Sequence, residues 1–207
     1  QSDQASFDIQ YGHVKRNTHR NTSWDKAKFE VVGHQYADIS NHDYGVALMN
    51  DCKYGYMVHH NILDLNLLRA PNNPDPEADQ GPHAFTYSFF PHKNDMIRSD
   101  VIAESTCLNQ APLLFTDVSH HVNIPVGLDG DGLELTVLKK AEKDQDTLVI
   151  RLFETKGRHS RGTLQGSGTL VECDMTEWSE IGDRVDINGV FDLDFSPFQI
   201  RTFKLVL

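Results

Sequence analysis

Short stretches in which apolar and polar residues alternate run through most of the chain. Between residues 6 and 14, Phe7, Ile9 and Tyr11 alternate with polar neighbours, a pattern typical of a β-strand with one buried face. Further strand-like segments, separated by glycine, proline and polar residues, lie at residues 29–36, 46–49, 62–68, 83–91, 113–123, 133–139, 147–154, 162–171, 184–191 and 198–207. Repeated short strands with few helices predict an all-β fold, an antiparallel β-sandwich.

One segment favours a helix instead. Ser99 can accept hydrogen bonds from free backbone amides, Asp100 suits the positive end of a helix dipole, and Pro112 would end the helix. We therefore predict one short helix near residues 99–110, which must pack against the strands because it is too short to be stable alone. The length of 207 residues suits a single domain spanning residues 1–207.

A polar corner interrupts the clearest apolar run of the chain. The run ends at Asn50 and Asp51, and both residue types favour turns because their side chains can bond nearby backbone groups. We expect this corner to present Asp51, Lys53 and Tyr54 to solvent. The alternative is that these three residues only decorate a loop, since polar loop residues are common.

A second interruption lies at residues 15–25, which show neither helical nor strand periodicity. We predict a loop there. The segment is rich in hydrogen-bond donors, including Arg20, and it carries Trp24 near its end. It is the other place where polar and aromatic groups concentrate outside the strand pattern.

The net charge excludes one class of partner. With 30 acidic and 19 basic residues, the chain has a formal net charge of −11, which argues against nucleic-acid binding through clustered lysine and arginine. No apolar run is long enough to span a membrane. Three widely separated cysteines argue against a disulfide framework and favour a reducing, cytoplasmic compartment. The first residue is Gln1 rather than methionine, which we interpret as a fragment of a longer protein.

No catalytic or metal-binding motif is present. The adjacent pairs His59–His60 and His120–His121 should point to opposite faces of their strands and therefore not share one ion. The acidic loop at residues 69–82 lacks the glycine and glutamate positions of a calcium-binding EF-hand. There is also no HExxH, GxSxG or P-loop pattern. We predict no catalytic residue and no metal ligand in this chain.

Several ordered segments nevertheless resemble the C-terminal region of α-mannosidases of glycoside hydrolase family 38, in the cytosolic and bacterial branch. They are THRNTSWD at residues 18–25, YGVALMNDCKYGY at 44–56, LLRAP at 67–71, PDPEADQGPHAFTY at 74–87, LKKAEKDQDTLVIRLFE at 138–154 and the terminal SPFQIRTFKLVL. The resemblance covers nearly the whole chain and implies a galactose-mutarotase-like supersandwich.

The resemblance also implies chemistry that these residues do not carry. Family members hydrolyse terminal α-mannosides with retention, using an aspartate nucleophile and a divalent ion, taken to be zinc, bound by histidine and aspartate. Those groups belong to an N-terminal α/β domain, followed by a helical bundle, both of which would precede Gln1. The implied partners are therefore the N-terminal catalytic domain of the same protein and a mannose-containing oligosaccharide. We expect the 207-residue chain alone to have no mannosidase activity.

The two polar interruptions supply the candidate site. In this family the β region lends loops to the rim of the sugar pocket, so we expect Arg20, Asp51 and Lys53 to bond sugar hydroxyls. Trp24 or Tyr54 could stack on a pyranose face. One alternative is that these residues hold the two domains together. Another is that the chain is a free-standing carbohydrate-binding or structural β-module without catalysis.

Overall fold

The computed structural model describes residues 2–117, 119, 124–144 and 146–207. The chain divides into two compact units, one of residues 1–114 and one of residues 115–207. Both are built mainly from antiparallel strands, which confirms the predicted all-β class. The assignment of residues 1–207 to one domain stays a prediction.

The first unit contains eight strands and three short helical segments. The strands are β1 (Gln4–Ile9), β2 (Gly12–Asn17), β3 (Val31–Val32), β4 (Tyr36–Ser40), β5 (Tyr44–Asn50), β6 (Gly55–His59), β7 (Ile62–Asn66) and β8 (Tyr87–Lys93). The helical segments are α1 (Ser23–Ala27), a 3₁₀ turn (Met96–Arg98) and α2 (Val101–Asn109). The strands form a five-stranded sheet in the order β2-β1-β4-β5-β8 and a three-stranded sheet in the order β3-β6-β7.

Both faces of the five-stranded sheet are apolar, which explains the unbroken apolar run in β5. One face contributes Phe7 and Ala37 to a cluster with Tyr56 and other side chains of the three-stranded sheet. The opposite face packs Met49 and its neighbours against the 3₁₀ turn and α2. The first unit therefore has three layers, with the small sheet on one side of the large sheet and the helices on the other.

The second unit is a six-stranded sheet around one aliphatic and aromatic cluster. Its strands are β9 (Gly127–Asp129), β10 (Leu133–Lys140), β11 (Thr147–Glu154), β12 (Ser160–Cys173), β13 (Val185–Phe195) and β14 (Ile200–Val206), ordered β10-β11-β14-β12-β13 with β9 paired to β12. Residues at every second position of β11, such as Ile150 and Leu152, are fully buried with Phe203 and Leu205 of β14. Val149 and Phe153 on the other face of β11 are buried as well, so this strand is covered on both faces.

The structure corrects several local predictions. Of the strand predicted at residues 29–36, only Val31–Val32 and Tyr36, the first residue of β4, are in strands. Residues 6–14, predicted as one strand, belong to the hairpin of β1 and β2, which turns at Tyr11 with φ of 50°. The predicted loop at residues 15–25 holds the end of β2 and the start of α1, which is capped by Thr22. Residues 113–117 form no strand, and residues 118 and 120–123 of that predicted segment lie outside the described residues.

The predicted helix is confirmed as α2. It begins at Val101, and its cap residue Asp100 makes no side-chain cap hydrogen bond. Ser99 partly takes that role, since its Oγ accepts from the backbone amide of Val101 at 3.3 Å. Among the helices of the described residues, none combines the length and apolar composition needed to cross a bilayer.

Candidate functional site

The three-stranded sheet has one face packed in the core and one face open to solvent. Tyr56 and Val58 of β6 point into the core, so Gly55 and Met57 lie on the open face. Three adjoining hollows of about 600, 350 and 300 Å³ lie there, and all three are lined by Glu30 and Gly55. We call these three hollows together the Glu30 groove.

At the centre of the Glu30 groove, the carboxylate of Glu30 lies over Gly55, which has no side chain. A Cβ added at Gly55 would lie 2.5 Å from Oε1 of Glu30, so the glycine makes room for the carboxylate. Asn66, the cross-strand partner of Gly55, donates from Nδ2 to Oε1 of Glu30 at 3.1 Å. Nη2 of Arg69 lies 3.6 Å from the other oxygen, Oε2, which is beyond ordinary hydrogen-bond distance. The carboxylate is positioned but only partly bonded.

Aromatic side chains border this centre. Phe29 is 60% exposed and Tyr54 is 58% exposed. The Tyr54 ring makes an edge contact with the His34 ring, and the two ring centroids lie 5.5 Å apart. The backbone carbonyl of Tyr54 accepts from the amide of Gly33 at 3.0 Å. An aromatic face beside bonded polar groups is an arrangement that suits a ligand with both apolar and hydroxyl surfaces.

A buried hydrogen-bond network fixes the corner that carries Lys53 and Tyr54. Asn50 donates from Nδ2 to the carbonyl of His34 at 3.0 Å and also to the hydroxyl of Tyr56. Its Oδ1 accepts from the backbone amides of Cys52 and Lys53. Burial of the phenol raises the pKa of Tyr56 well above its ordinary value, so the hydroxyl stays protonated and can remain in this network.

Three of the five predicted site residues line the Glu30 groove. Arg20 lines the largest hollow, while Lys53 and Tyr54 line the hollow beside it. The ammonium of Lys53 also lies 4.8 Å from the centroid of the Phe85 ring, a cation–π distance. These residues come from separate segments of the chain, and the fold brings them to one surface.

The other two predicted residues lie elsewhere. Asp51 accepts from the backbone amide of Thr86 at 3.0 Å, and its own amide donates to the Thr86 carbonyl at 3.2 Å. The hydrogen bond from Thr86 lowers the pKa of Asp51. This residue joins two segments of the chain and lines none of the three hollows. Trp24 lies on α1, is 78% exposed and lines none of them either.

Two family models match most of the chain. Residues 1–77 match the family model described as the glycosyl hydrolases family 38 C-terminal domain, and residues 132–203 match the family 38 C-terminal beta sandwich domain. The chain belongs to the C-terminal region of glycosyl hydrolase family 38. The resemblance seen in the sequence is confirmed.

Similar proteins cover the whole of this family 38 region. The chain is 40% identical over 216 residues to alpha-mannosidase 2C1 of Homo sapiens. The alignment covers 100% of this chain and 21% of that protein. It is 35% identical over 215 residues to alpha-mannosidase G of Dictyostelium discoideum, covering 98% of this chain and 20% of that protein. The chain therefore spans about a fifth of the length of these relatives.

A solved structure shows the same fold. The crystal structure of an alpha-mannosidase from Enterococcus faecalis V583 aligns with a TM-score of 0.74 at 17% sequence identity, over 99% of this chain and 24% of that chain. The predicted β-sandwich class is thereby confirmed. The centre of the Glu30 groove lies in the first family 38 segment, since Phe29, Glu30, Gly55, Asn66 and Arg69 all fall within residues 1–77.

The centre of this groove could not be predicted from the sequence. Phe29, Glu30, Gly55, Asn66 and Arg69 were not among the predicted site residues. One signal could have indicated them: Asp64 and Asn66 alternate with apolar residues, which places polar groups on one face of β7 opposite a glycine. That signal gives a polar face but does not identify Glu30, which precedes β3 and reaches this face only through the fold.

The described residues do not fit a zinc ion. They contain no group of three or more histidine, cysteine, aspartate or glutamate side chains placed to hold a metal. The rings of His59 and His60 lie 4.3 Å apart rather than on opposite faces, because His60 enters the β6–β7 turn with φ of 55°. The second predicted pair, His120 and His121, lies outside the described residues.

Proposed function

We propose that this chain is part of an α-mannosidase that hydrolyses terminal α-mannosides of oligosaccharides with retention. The observation that carries the proposal is that four relatives named alpha-mannosidase align with 98–100% of this chain at 31–40% identity. The nucleophile and a divalent ion, taken to be zinc, belong in this proposal to an N-terminal domain outside these residues. A cytoplasmic location is supported by three free cysteine thiols in the part of the chain that the structure describes.

The proposed task of this region is to support and border the sugar pocket. A glycosidase needs a rigid surface that orients its substrate and excludes stray water. Arg20, Lys53 and Tyr54 line one groove and the corner beneath them is held by Asn50. In the proposal Arg20 and Lys53 donate to sugar hydroxyls and Tyr54 stacks on a pyranose ring.

Lys53→Met in the whole protein tests this role. The substitution keeps an apolar stem of similar length and removes the charge. We expect KM for an α-mannoside to rise about tenfold with an unchanged melting temperature, because a hydrogen bond to a charged group contributes roughly 1.5–3 kcal/mol. Lys143→Met is the matched control, since the Lys143 ammonium also lies over an aromatic ring, that of Trp178, at 3.8 Å.

Each outcome assigns a different role. A fall in melting temperature with unchanged kinetics would show that Lys53 holds domains together. Absence of α-mannoside hydrolysis by the whole wild-type protein would overturn the proposed function. The alternative of a free-standing carbohydrate-binding module predicts that the 207-residue chain alone binds mannosides measurably by calorimetry. Our proposal expects that chain alone to hydrolyse none.

A further inference from the structure

The Glu30 groove has a built polar centre that the proposed rim residues do not use. The carboxylate of Glu30 can accept at about four lone-pair positions, and Asn66 occupies one of them at 3.1 Å. Arg69, whose side chain is 72% exposed, places its guanidinium 3.6 Å from Oε2. Acceptor and donor groups therefore lie side by side at the open surface, where neighbouring hydroxyls of one ligand can bond to each of them.

The floor of the groove keeps this centre accessible. Gly55 faces the groove from β6, and any side chain there would meet Oε1 of Glu30 first and then Cβ of Asn66 at 3.2 Å. The glycine is thus the residue type that lets the carboxylate lie flat over the sheet. The largest hollow, of about 600 Å³, falls within the range of small-ligand sites.

The charges around the groove favour a neutral ligand. Arg20, Lys53 and Arg69 supply positive charge, and an equal number of carboxylates, those of Glu30, Asp64 and Asp79, line the same two hollows. A phosphate or carboxylate ligand would be favoured by an excess of cationic groups, which this surface lacks. A polyhydroxylated ligand can use both kinds of group and can lie against the exposed rings of Phe29 and Tyr54.

We propose that the Glu30 groove binds a second sugar unit of the substrate, one that is not released by the reaction. Glu30 accepts from one hydroxyl of that unit, Arg69 donates to its neighbour, and Phe29 covers the ring. This inference rests on the proposed function, because it takes the ligand to be an α-mannoside. It deepens that function by assigning the binding of the second sugar of the oligosaccharide to Glu30 and Arg69 of the first unit.

The test compares two substrates in the whole protein. One is an α-linked manno-oligosaccharide and the other is an aryl α-mannoside, which has only one sugar. The readout is the ratio of kcat/KM for the oligosaccharide to kcat/KM for the aryl mannoside. We expect Glu30→Gln to lower this ratio about fivefold, because a neutral amide is a weaker acceptor than a carboxylate. The matched control is Glu180→Gln, which removes another arginine-paired carboxylate, 2.7 Å from Arg184 in the second unit.

A second variant tests the same carboxylate in case Glu30→Gln does not fold. Gly55→Ala places a methyl group where the far end of the Glu30 side chain now lies, so the carboxylate must move while the backbone keeps its φ. We expect it to lower the ratio about tenfold with little change in melting temperature. An unchanged ratio in this variant and in folded Glu30→Gln overturns the inference. If the wild-type protein hydrolyses neither substrate, the proposed function itself has failed.

Discussion

Two glutamates, one in each unit, show how the same side chain can serve the fold or remain open to a ligand. Glu154 in the second unit is fully buried. Its Oε1 accepts from the amide of Lys156 and the hydroxyl of Ser160, each at 3.0 Å. Its Oε2 accepts from the amides of Gly157 at 2.8 Å, Arg158 at 3.2 Å and Phe198 at 2.9 Å.

Glu30 in the first unit has the opposite environment. One oxygen accepts from Asn66, and the other lies 3.6 Å from an exposed arginine at the edge of an open groove. The two carboxylates differ in how many hydrogen-bond donors they accept from, and nothing in their sequence neighbourhoods predicts that difference. A carboxylate saturated by backbone amides holds a turn in place, and one that is half bonded on an open surface has capacity left for a ligand.

The largest expected effect comes from breaking the closed network. Glu154→Ala leaves the buried amides that it now accepts from without a partner, and each such group costs about 1–3 kcal/mol. We expect the free energy of unfolding to fall by about 4 kcal/mol, measured by urea denaturation of the chain. Glu30→Ala is the matched change and should cost less than about 1 kcal/mol. Equal losses in the two variants would remove the distinction drawn between the two glutamates.

A smaller effect is expected from the network beneath the groove. Tyr56→Phe removes the hydroxyl that accepts from Asn50 and lies 3.3 Å from the His34 carbonyl. We expect a loss of about 1.5 kcal/mol, because Asn50 keeps its other partners. Tyr44→Phe is the control, since Tyr44 is exposed and should change stability by less than about 0.5 kcal/mol. A Tyr56→Phe variant as stable as the control would show that this network does not hold the corner.

Much of the fold could be predicted from the sequence because packing enforces alternation. β11 begins and ends at the predicted residues, Thr147 and Glu154, since its inward positions pack in one continuous cluster. The apolar run at residues 46–49 was predicted as a strand and lies in β5, where Ala47 and Met49 are buried in the cluster with the helices. The aromatic face predicted for residues 83–91 exists in β8, although its rings, such as Phe89, are exposed rather than packed.

Turns in which a residue other than glycine adopts positive φ could not be predicted. Tyr11 and His60 both adopt positive φ, a conformation that most residues avoid and that leaves no mark in the composition. Of the hairpin of β6 and β7, only the second strand was predicted, at residues 62–68. The groove was missed for a related reason: Glu30 meets Asn66 across 36 positions of the chain, and local periodicity carries no information about such pairs.

The first unit also contains a buried aspartate–histidine pair, formed by Asp38 and His92. His92 and Asp38 lie with Nε2 and Oδ2 2.7 Å apart, and the hydroxyl of Ser40 donates to Oδ1 of Asp38 at 2.5 Å. Burial raises the pKa of Asp38, and the hydrogen bonds from Ser40 and His92 oppose that rise only in part. Asp95 nearby adds to the rise.

The sign of the resulting pH dependence follows from proton binding. Because the folded pKa of Asp38 lies above the unfolded value of about 3.9, the folded state binds more protons in between, and stability falls as pH rises through that window. Asp38→Asn lacks this contribution. We expect the free energy of unfolding of the wild type to gain roughly 1 kcal/mol relative to that of Asp38→Asn as the pH falls from about 7 to about 4. Urea denaturation across that range measures it. The exposed Asp192→Asn should give parallel curves, and parallel curves for Asp38→Asn would contradict the assignment.

The smallest effect on stability is expected at two exposed tryptophans, one in each unit. Trp24 on α1 is 78% exposed and Trp178 is 69% exposed, so replacing Trp24 by alanine should change the free energy of unfolding by less than about 0.5 kcal/mol. Trp178→Ala also loses the contact with Lys143 at 3.8 Å and should cost up to about 1 kcal/mol. Because Trp24 lies outside the groove lining, its effect on KM in the whole protein should be smaller than that of Lys53→Met. The reverse order would place the sugar over α1 rather than along β6 and β7.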